Sequence, residues 1–225
     1  MELNDKMLQV LKNFASINPN IVVEKGNVIR TLSEGRNVFG KAELENSFPS
    51  SFGIYDLNEF LNVINLVEEP SLTFDDTHVM INDSTGLSKI KYFFTDTEYL
   101  TTATKDIVMP TPEIRFNLSN ETLNRIKRAA SALGHSVVAA RPNNGSISLT
   151  VFDNEGNATS NTFTVDVEGS YQSDNFDIIF NIANLKLLPG DYQVEVSSKL
   201  ISHFVNSESN VEYWIAVEKT SSYGA

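Results

Sequence analysis

Apolar residues recur at helical spacing in one stretch of each half of the chain. Near the N-terminus we predict a helix over residues 3–14 with the apolar stripe Leu3, Met7, Val10, Leu11 and Phe14. In the second half, Ser119 is a suitable N-cap and Gly134 a suitable C-cap for a helix with the stripe Leu123, Ile126, Ala130 and Leu133. The pattern therefore predicts one amphipathic helix in each half.

A second, shorter helix is predicted in each half. Asp56 is followed three residues later by Glu59, a capping-box arrangement that begins a helix over residues 56–66. Its counterpart is predicted at residues 181–188, before a turn at Pro189. The remaining apolar runs predict strands at 21–24, 28–32, 38–44, 51–55, 71–75, 78–82, 87–94, 113–118, 137–141, 146–152, 162–168, 177–180, 192–197 and 211–218. The fold class is therefore α+β, with two helices packed on antiparallel sheet in each half.

The two halves also repeat each other in sequence. Two pairs of segments correspond in the same order: residues 11–16 with 126–131, and residues 54–58 with 179–183. A chain with this order contains two copies of one domain, which we place at residues 1–110 and 111–225. Residues 95–112, which are rich in threonine and end in Pro-Thr-Pro, are the predicted linker.

Composition narrows the class of protein. The 225 residues include no cysteine, which excludes disulfides, thiolate metal sites and a cysteine nucleophile. No apolar run reaches the ~18 residues that a membrane span needs, and the N-terminus lacks a signal-peptide pattern, so we expect a cytoplasmic protein with no membrane partner. The net charge of −12 opposes nucleic-acid binding unless the basic residues are gathered on one face.

The sequence contains no motif that indicates enzyme chemistry. The phosphate-binding, zinc-protease and hydrolase signatures are absent. Residues 75–78, Asp-Asp-Thr-His, could suggest a metal site, but the spacing is not that of zinc ligands, and a turn at the end of a strand is favoured. We therefore expect no catalytic residue, no metal and no cofactor.

Four segments resemble the DNA polymerase sliding clamp of T-even-type bacteriophages. They are LKNFASIN at 11–18, IYDLNEFLNVINLV at 54–67, FNIANLKLLPGDYQVEV at 180–196, and residues 213–218. The resemblance covers most of the chain and is weakest in the linker and the strands after it. Its motifs are structural rather than catalytic, so their specificity comes from order and spacing together.

The resemblance implies a non-enzymatic processivity factor. Members of this family join three protomers head to tail into a closed homotrimeric ring around duplex DNA, with helices lining the hole. A clamp-loader ATPase opens the ring, and the ring then tethers the replicative DNA polymerase without reading the DNA sequence. In such phages the clamp also helps to activate late transcription. For this chain we accordingly expect these partners, and the cytoplasm of an infected bacterium as its location.

Basic residues on the first helix of each half are the candidate DNA contacts. Arg125 and Arg128 lie opposite the apolar stripe, with Lys127 on its flank, and could meet phosphates without reading bases. Three further candidates are Lys6, Lys12 and Lys186. The alternative is that these helices simply present a solvated charged face. The ring resemblance favours DNA contact for the helix at 119–133.

The linker offers candidate partner contacts. In the wider clamp superfamily, peptides of polymerases and loaders dock on the outer face near the interdomain linker, which suggests Tyr99, Leu100, Ile107, Val108 and Met109. An equally weighted alternative is that these apolar residues pin the linker to the two cores. The ring interface would use one edge strand from each half, and the sequence does not identify them.

Two other functions fit the sequence less well. A viral structural or scaffolding protein would share the acidic charge and the lack of catalytic motifs, but it has no need of the duplication. An enzyme that uses carboxylates would need paired Asp or Glu residues, and no spacing indicates such a pair.

Overall fold

A computed structural model describes residues 1–103, 105–156 and 159–224. Backbone contacts divide the chain into two units, residues 1–106 and residues 107–225. The predicted linker includes Thr104, which lies outside the described residues. Each unit has its own core of fully buried side chains, such as Phe14 and Ile54 in the first and Phe204 and Tyr213 in the second.

The described part of the N-terminal unit contains two α-helices and seven strands. In chain order these are α1 (Asp5–Ile17), β1 (Ile21–Val23), β2 (Gly26–Leu32), β3 (Val38–Phe48), β4 (Phe52–Ile54), α2 (Leu57–Ile64), β5 (Ser71–Phe74), β6 (His78–Asn82) and β7 (Lys89–Phe93). Two antiparallel sheets result, with strand orders β3-β2-β1-β4 and β5-β6-β7. The helix α1 packs closely on the first sheet: Phe14 lies so near Gly40 of β3 that a β-carbon added at Gly40 would be 3.1 Å from the Phe14 ring.

The described part of the C-terminal unit contains one α-helix and ten strands. They are β8 (Ile114–Leu118), α3 (Asn120–Leu133), β9 (Val137–Asn143), β10 (Ser146–Phe152), β11 (Phe163–Val167), β12 (Gly169–Tyr171), β13 (Phe176–Asn181), β14 (Tyr192–Ser197), β15 (Ile201–Asn206), β16 (Val211–Ala216) and β17 (Ser222–Tyr223). Their sheets have the orders β12-β8-β14-β15-β16 and β11-β10-β9-β13-β17. The sequence pattern did not predict β12, β15 or β17.

The same topology recurs in the two units. The order β3-β2-β1-β4 of the first matches β11-β10-β9-β13 of the second. Each copy contains an equivalent backbone hydrogen bond. In the first copy the Leu57 N–H donates to the Pro19 carbonyl at 2.8 Å, and in the second the Ile182 N–H donates to the Ser136 carbonyl at 2.9 Å. In each copy the residue before this N–H caps the helix or turn with its side chain: Asp56 accepts from the Asn58 N–H, and Asn181 accepts from the Ala183 N–H. The prediction of two copies of one α+β domain is confirmed.

The second helix of the C-terminal copy is shorter than predicted. Instead of a helix over 181–188, the chain makes one 3₁₀ turn, Ile182–Asn184, and then runs on in irregular structure to Pro189. A residue before proline avoids the helical region, which leaves too few residues to offset the cost of starting an α-helix. Among the described residues, the first copy thus has two α-helices, and the second has one α-helix with a 3₁₀ turn in place of the other.

Candidate nucleic-acid interface

The helix α3 presents two arginines on the face away from its core. Its buried stripe is Leu123, Ile126 and Ala130. At 100° per residue, Arg125 and Arg128 fall on the opposite side, and both are exposed. The Ser119 hydroxyl accepts a hydrogen bond from the Thr122 N–H at 3.1 Å at the start of the helix, and Gly134 closes it with a left-handed φ of 72°. The caps and the stripe therefore fix the direction in which the two arginines point.

The two arginines differ in their local contacts. The guanidinium of Arg125 lies over the ring of Phe163, 5.6 Å from the ring centroid, at the start of β11. The Arg128 Nε donates to the carbonyl of Asn124, one turn earlier in the same helix, at 3.4 Å. A cation–π contact of an exposed arginine is worth only about 0.5–1 kcal/mol, so both side chains keep the freedom to meet a phosphate.

Lys127 lies at the border of the buried face, as expected for a flanking residue. It is half-buried, and desolvation by its surroundings lowers the pKa of its ammonium group. The positive charge of Lys127 therefore lies at the edge of the exposed face of α3 rather than at its centre.

The basic residues of α1 point in different directions. Lys6 and Lys12 are both exposed but lie about 120° apart around the helix axis. The Lys6 ammonium pairs with Glu45 of β3 at 3.1 Å, a surface ion pair of the kind worth less than about 1 kcal/mol. Lys12 lies on the side of Gln9 and Ser16, away from the stripe that contains Phe14. Of these two lysines, Lys12 is the one aligned with the exposed face.

The remaining helix and turn offer little positive charge. The exposed side chains of α2 include Asn58, Glu59 and Asn62. The Tyr92 hydroxyl donates to Glu59 at 3.1 Å, and burial, together with that carboxylate, raises the pKa of Tyr92 to about 12. Lys186 is exposed beyond the 3₁₀ turn, between buried leucines, and so does not lie on a helix.

The candidate partner segment contains both exposed and buried side chains. Tyr99 and Val108 are 78% and 87% exposed, whereas Leu100 is 8% exposed. A β-carbon added at Gly53 would lie 2.7 Å from the Leu100 Cδ1, so Leu100 packs directly against β4. Leu100 therefore anchors the linker to a core, which is the alternative to partner docking that the sequence analysis gave for all five residues. Ile107 and Met109 are partly exposed.

Sequence reasoning missed an ionic cluster at the end of this segment. The Asp106 carboxylate accepts hydrogen bonds from Arg30 Nε of β2 at 2.7 Å and from Lys41 Nζ of β3 at 3.1 Å. Arg30 also donates to Glu24 at 3.1 Å. The hydrogen bond from Arg30, and then that from Lys41, lowers the pKa of Asp106, and the same contact raises the pKa of Arg30. No local pattern signals this cluster, because its members are 65 and 76 residues apart in the chain.

Within the described residues, no group of three or more His, Cys, Asp or Glu side chains could hold a metal ion. The backbone N–H of Asp75 donates to the His78 carbonyl at 2.9 Å, so residues 75–78 form the turn between β5 and β6 that the sequence favoured. No helix among the described residues is long and apolar enough to cross a membrane.

Comparison with known proteins gives a consistent result over the whole chain. Residues 4–105 match the family model described as DNA polymerase processivity factor, and residues 115–219 match the one described as gp45 sliding clamp, C terminal. The protein named sliding clamp of Vibrio phage KVP40 is 32% identical over 222 residues, which cover 97% of this chain and 99% of the relative. The sliding clamps of Escherichia phage RB69 and Enterobacteria phage T4 are 25% and 26% identical, each over 99% of both chains.

Solved structures agree in fold at much lower sequence identity. Proliferating cellular nuclear antigen from Entamoeba histolytica superposes with a TM-score of 0.69 at 13% identity, covering 94% of each chain. Its counterpart from Thermococcus kodakaraensis gives 0.70 at 12% identity, covering 95% of this chain and 96% of the other. At these identities the similarity shows the fold alone.

Proposed function

Because the chain belongs to the sliding-clamp family of DNA polymerase processivity factors, we propose that three copies close head to tail into a ring around duplex DNA. The observation that supports this most directly is the repeated topology. A chain with two copies of one domain gives six similar domains in a trimer, and each copy contributes its first helix, α1 or α3. As a processivity factor, the protein is not an enzyme.

Two edge strands are suited to the ring contact. β7 is an edge of the sheet β5-β6-β7, and β11 is an edge of the sheet β11-β10-β9-β13-β17. The exposed side chains of β7 include Lys89 and Lys91, whereas those of β11 include Asp166. We propose that β7 of one protomer adds to β11 of the next, because opposite charges and two unpaired backbone edges complement each other. The two surfaces differ, so the contact is heterologous, and a rotation of 120° between neighbouring protomers closes it into a ring of three.

Light scattering of the purified protein tests the ring. We expect a particle with three times the 25.0 kDa mass of the chain over a wide range of concentrations. A monomer that persists at high concentration would contradict the proposal.

Reversing the charges of β7 is expected to weaken the trimer. Lys89→Glu with Lys91→Glu places acidic groups against Asp166, and this should raise the dissociation constant by about 10-fold or more. Adding Asp166→Lys should recover part of the loss, and Lys25→Glu, an exposed lysine of the same unit, should have no effect. Sedimentation equilibrium measures all four proteins. Equal trimer stability in all of them would exclude β7 and β11 as the contact.

DNA contact is proposed for the basic residues Lys6, Lys12, Arg125, Lys127, Arg128 and Lys186. The outward direction of Arg125, Arg128 and Lys12 supports these three most strongly. Contacts of this type reach phosphates without reading bases, so binding is non-sequence-specific and the ring can slide. The overall charge of −12 would then lie mainly on other surfaces, and DNA would meet positive charge chiefly at α1 and α3.

The further partners are proposed from the family. They are the replicative DNA polymerase, a clamp-loader ATPase and, for late genes, the transcription apparatus, all in the cytoplasm of an infected bacterium. Tyr99, Leu100, Ile107, Val108 and Met109 are the proposed docking residues, at the junction of clamp domains that we place at 1–110 and 111–225. Exposure favours Tyr99 and Val108 among them. The alternative of a structural or scaffolding protein gains no support, since the three relatives are all sliding clamps.

A further inference from the structure

The segment that leads out of the N-terminal unit is held to that unit at two points. At the first, Leu100 is buried, and the Thr101 N–H donates to the Asn20 side chain at 3.4 Å. At the second, Asp106 binds Arg30 and Lys41, and it is the last residue of the unit. Among residues 102–103 and 105–112, all of which the structure describes, Asp106 is the residue for which hydrogen bonds are found. The Asp106 clasp, formed by Asp106, Arg30 and Lys41, is therefore the last attachment before the chain leaves the unit.

The next attachment belongs to the C-terminal unit. The Glu113 carboxylate accepts hydrogen bonds from the Ser198 N–H at 2.9 Å and from the Ser198 hydroxyl at 2.8 Å. With the Asp106 clasp closed, the unattached stretch is residues 107–112. With the clasp open, the nearest hydrogen bond to the N-terminal unit found among the described residues is that of Thr101. A fully extended chain of six residues reaches about 20 Å and each further residue adds about 3.4 Å, so the clasp limits how far the segment can depart from the unit.

Charge and burial favour the closed clasp. The side chains of Arg30 and Lys41 are only 22% and 29% exposed, against 46% for Asp106. If Asp106 withdrew, two partly desolvated cations would face each other, and among the described residues only Glu24 would remain as an acid bound to Arg30. Each oxygen of the Asp106 carboxylate binds a side chain of a different strand, so the contact ties the segment to both β2 and β3.

We propose that Asp106 is the positioning residue for the partner-docking segment, because it fixes the point at which the chain leaves the N-terminal sheet, directly before Ile107, Val108 and Met109. This inference rests on the proposed function, because it assigns a role within the proposed docking site. It adds an electrostatic control: salt that screens the clasp should lengthen the unattached segment and weaken partner docking together.

Trypsin cleavage after Lys105 tests the clasp in the intact protein. Lys105 is exposed and directly precedes Asp106, so cutting there requires the segment to detach from the sheet. We expect Lys41→Gln to speed the appearance of the fragments 1–105 and 106–225 about fivefold, as for loss of a partly exposed ion pair of about 1 kcal/mol. The matched control is Lys25→Gln, whose side chain forms no ion pair with the described residues and whose cleavage rate should equal that of the wild type. Neither variant changes the cleaved bond. Equal rates in all three proteins would overturn the clasp.

Polymerase stimulation tests the positioning role. With loader and replicative polymerase on primed circular DNA, Asp106→Asn should raise the clamp concentration for half-maximal synthesis about fivefold at low salt. Its difference from the wild type should vanish at high salt, whereas a merely structural defect would persist. The control Asp76→Asn, an exposed aspartate of the same unit, should behave as the wild type. The positioning role would be overturned if Lys41→Gln speeds trypsin cleavage but Asp106→Asn still supports synthesis at the wild-type level. Failure of the wild type itself to stimulate synthesis would overturn the proposed function and the positioning role together, while the cleavage rates would still report on the clasp.

Discussion

Replacing both outward arginines of α3, Arg125→Glu with Arg128→Glu, is expected to shorten processive DNA synthesis roughly 100-fold at about 200 mM salt. The effect is expected to be large because the ring repeats the substitution in every protomer. Each protomer loses two cations and gains two anions on the face proposed to meet phosphates, and three protomers repeat the change around one duplex. Product length on primed circular DNA, measured at several salt concentrations, reports the effect, and the difference from the wild type should shrink as salt rises, because the variant has fewer phosphate contacts to lose.

Two controls separate DNA contact from damage to the ring. Lys25→Glu with Lys199→Glu makes the same change in net charge at exposed lysines outside the helices, and it should leave product length unchanged. Because Arg125 also lies on Phe163 beside the proposed ring contact, Arg128→Glu alone should reproduce a substantial part of the loss with a wild-type trimer mass. Full processivity in the double variant, with the trimer intact, would remove both arginines from the DNA-facing set.

Local patterns predicted the parts of the fold whose causes are local. The stripe and caps of α3 depend on residues a few positions apart, and the face that holds Arg125 and Arg128 followed from helical spacing alone. The strand β15 was missed because its inward positions include Ser202 and Asn206, which break the apolar alternation. Ser202 is accommodated there because its hydroxyl donates to the Ile215 carbonyl at 2.7 Å on the neighbouring strand. The sequence alone gives no sign of that partner.

The candidate site shows the same division. Which residues are basic and outward could be predicted, but their contacts could not, since Lys6 meets Glu45 and Arg125 meets Phe163 only after the helices pack on their sheets. The Asp106 clasp is the extreme case, joining a linker residue to two strands far away in the chain. Such pairings depend on strand order and register, which single-sequence patterns do not specify.

Alkaline pH is expected to destabilise the C-terminal unit by about 5 kcal/mol between pH 10 and pH 12. Two buried tyrosines cause this. The Tyr192 hydroxyl donates to the Leu188 carbonyl at 2.6 Å, and the Tyr213 hydroxyl accepts from the Leu188 N–H at 3.2 Å. Burial is the main cause that raises the pKa of both phenols, well above their ordinary value near 10. Below that value both states of the protein keep the phenols neutral, so stability is fully present there.

Above pH 10 the unfolded chain loses the two protons while the folded chain retains them, so each phenol lowers the free energy of unfolding by up to about 1.4 kcal/mol per pH unit. Urea unfolding from pH 9 to pH 12, followed by the fluorescence of Trp214, the one tryptophan of the chain, measures this slope in the C-terminal unit. Tyr192→Phe removes one titrating group and should roughly halve the slope, at a fixed cost from the lost hydrogen bond to Leu188. Tyr99→Phe, which removes a hydroxyl outside the C-terminal unit, should keep the full slope. A flat profile, or one that Tyr192→Phe leaves unchanged, would show that these phenols titrate alike in the folded and unfolded chain.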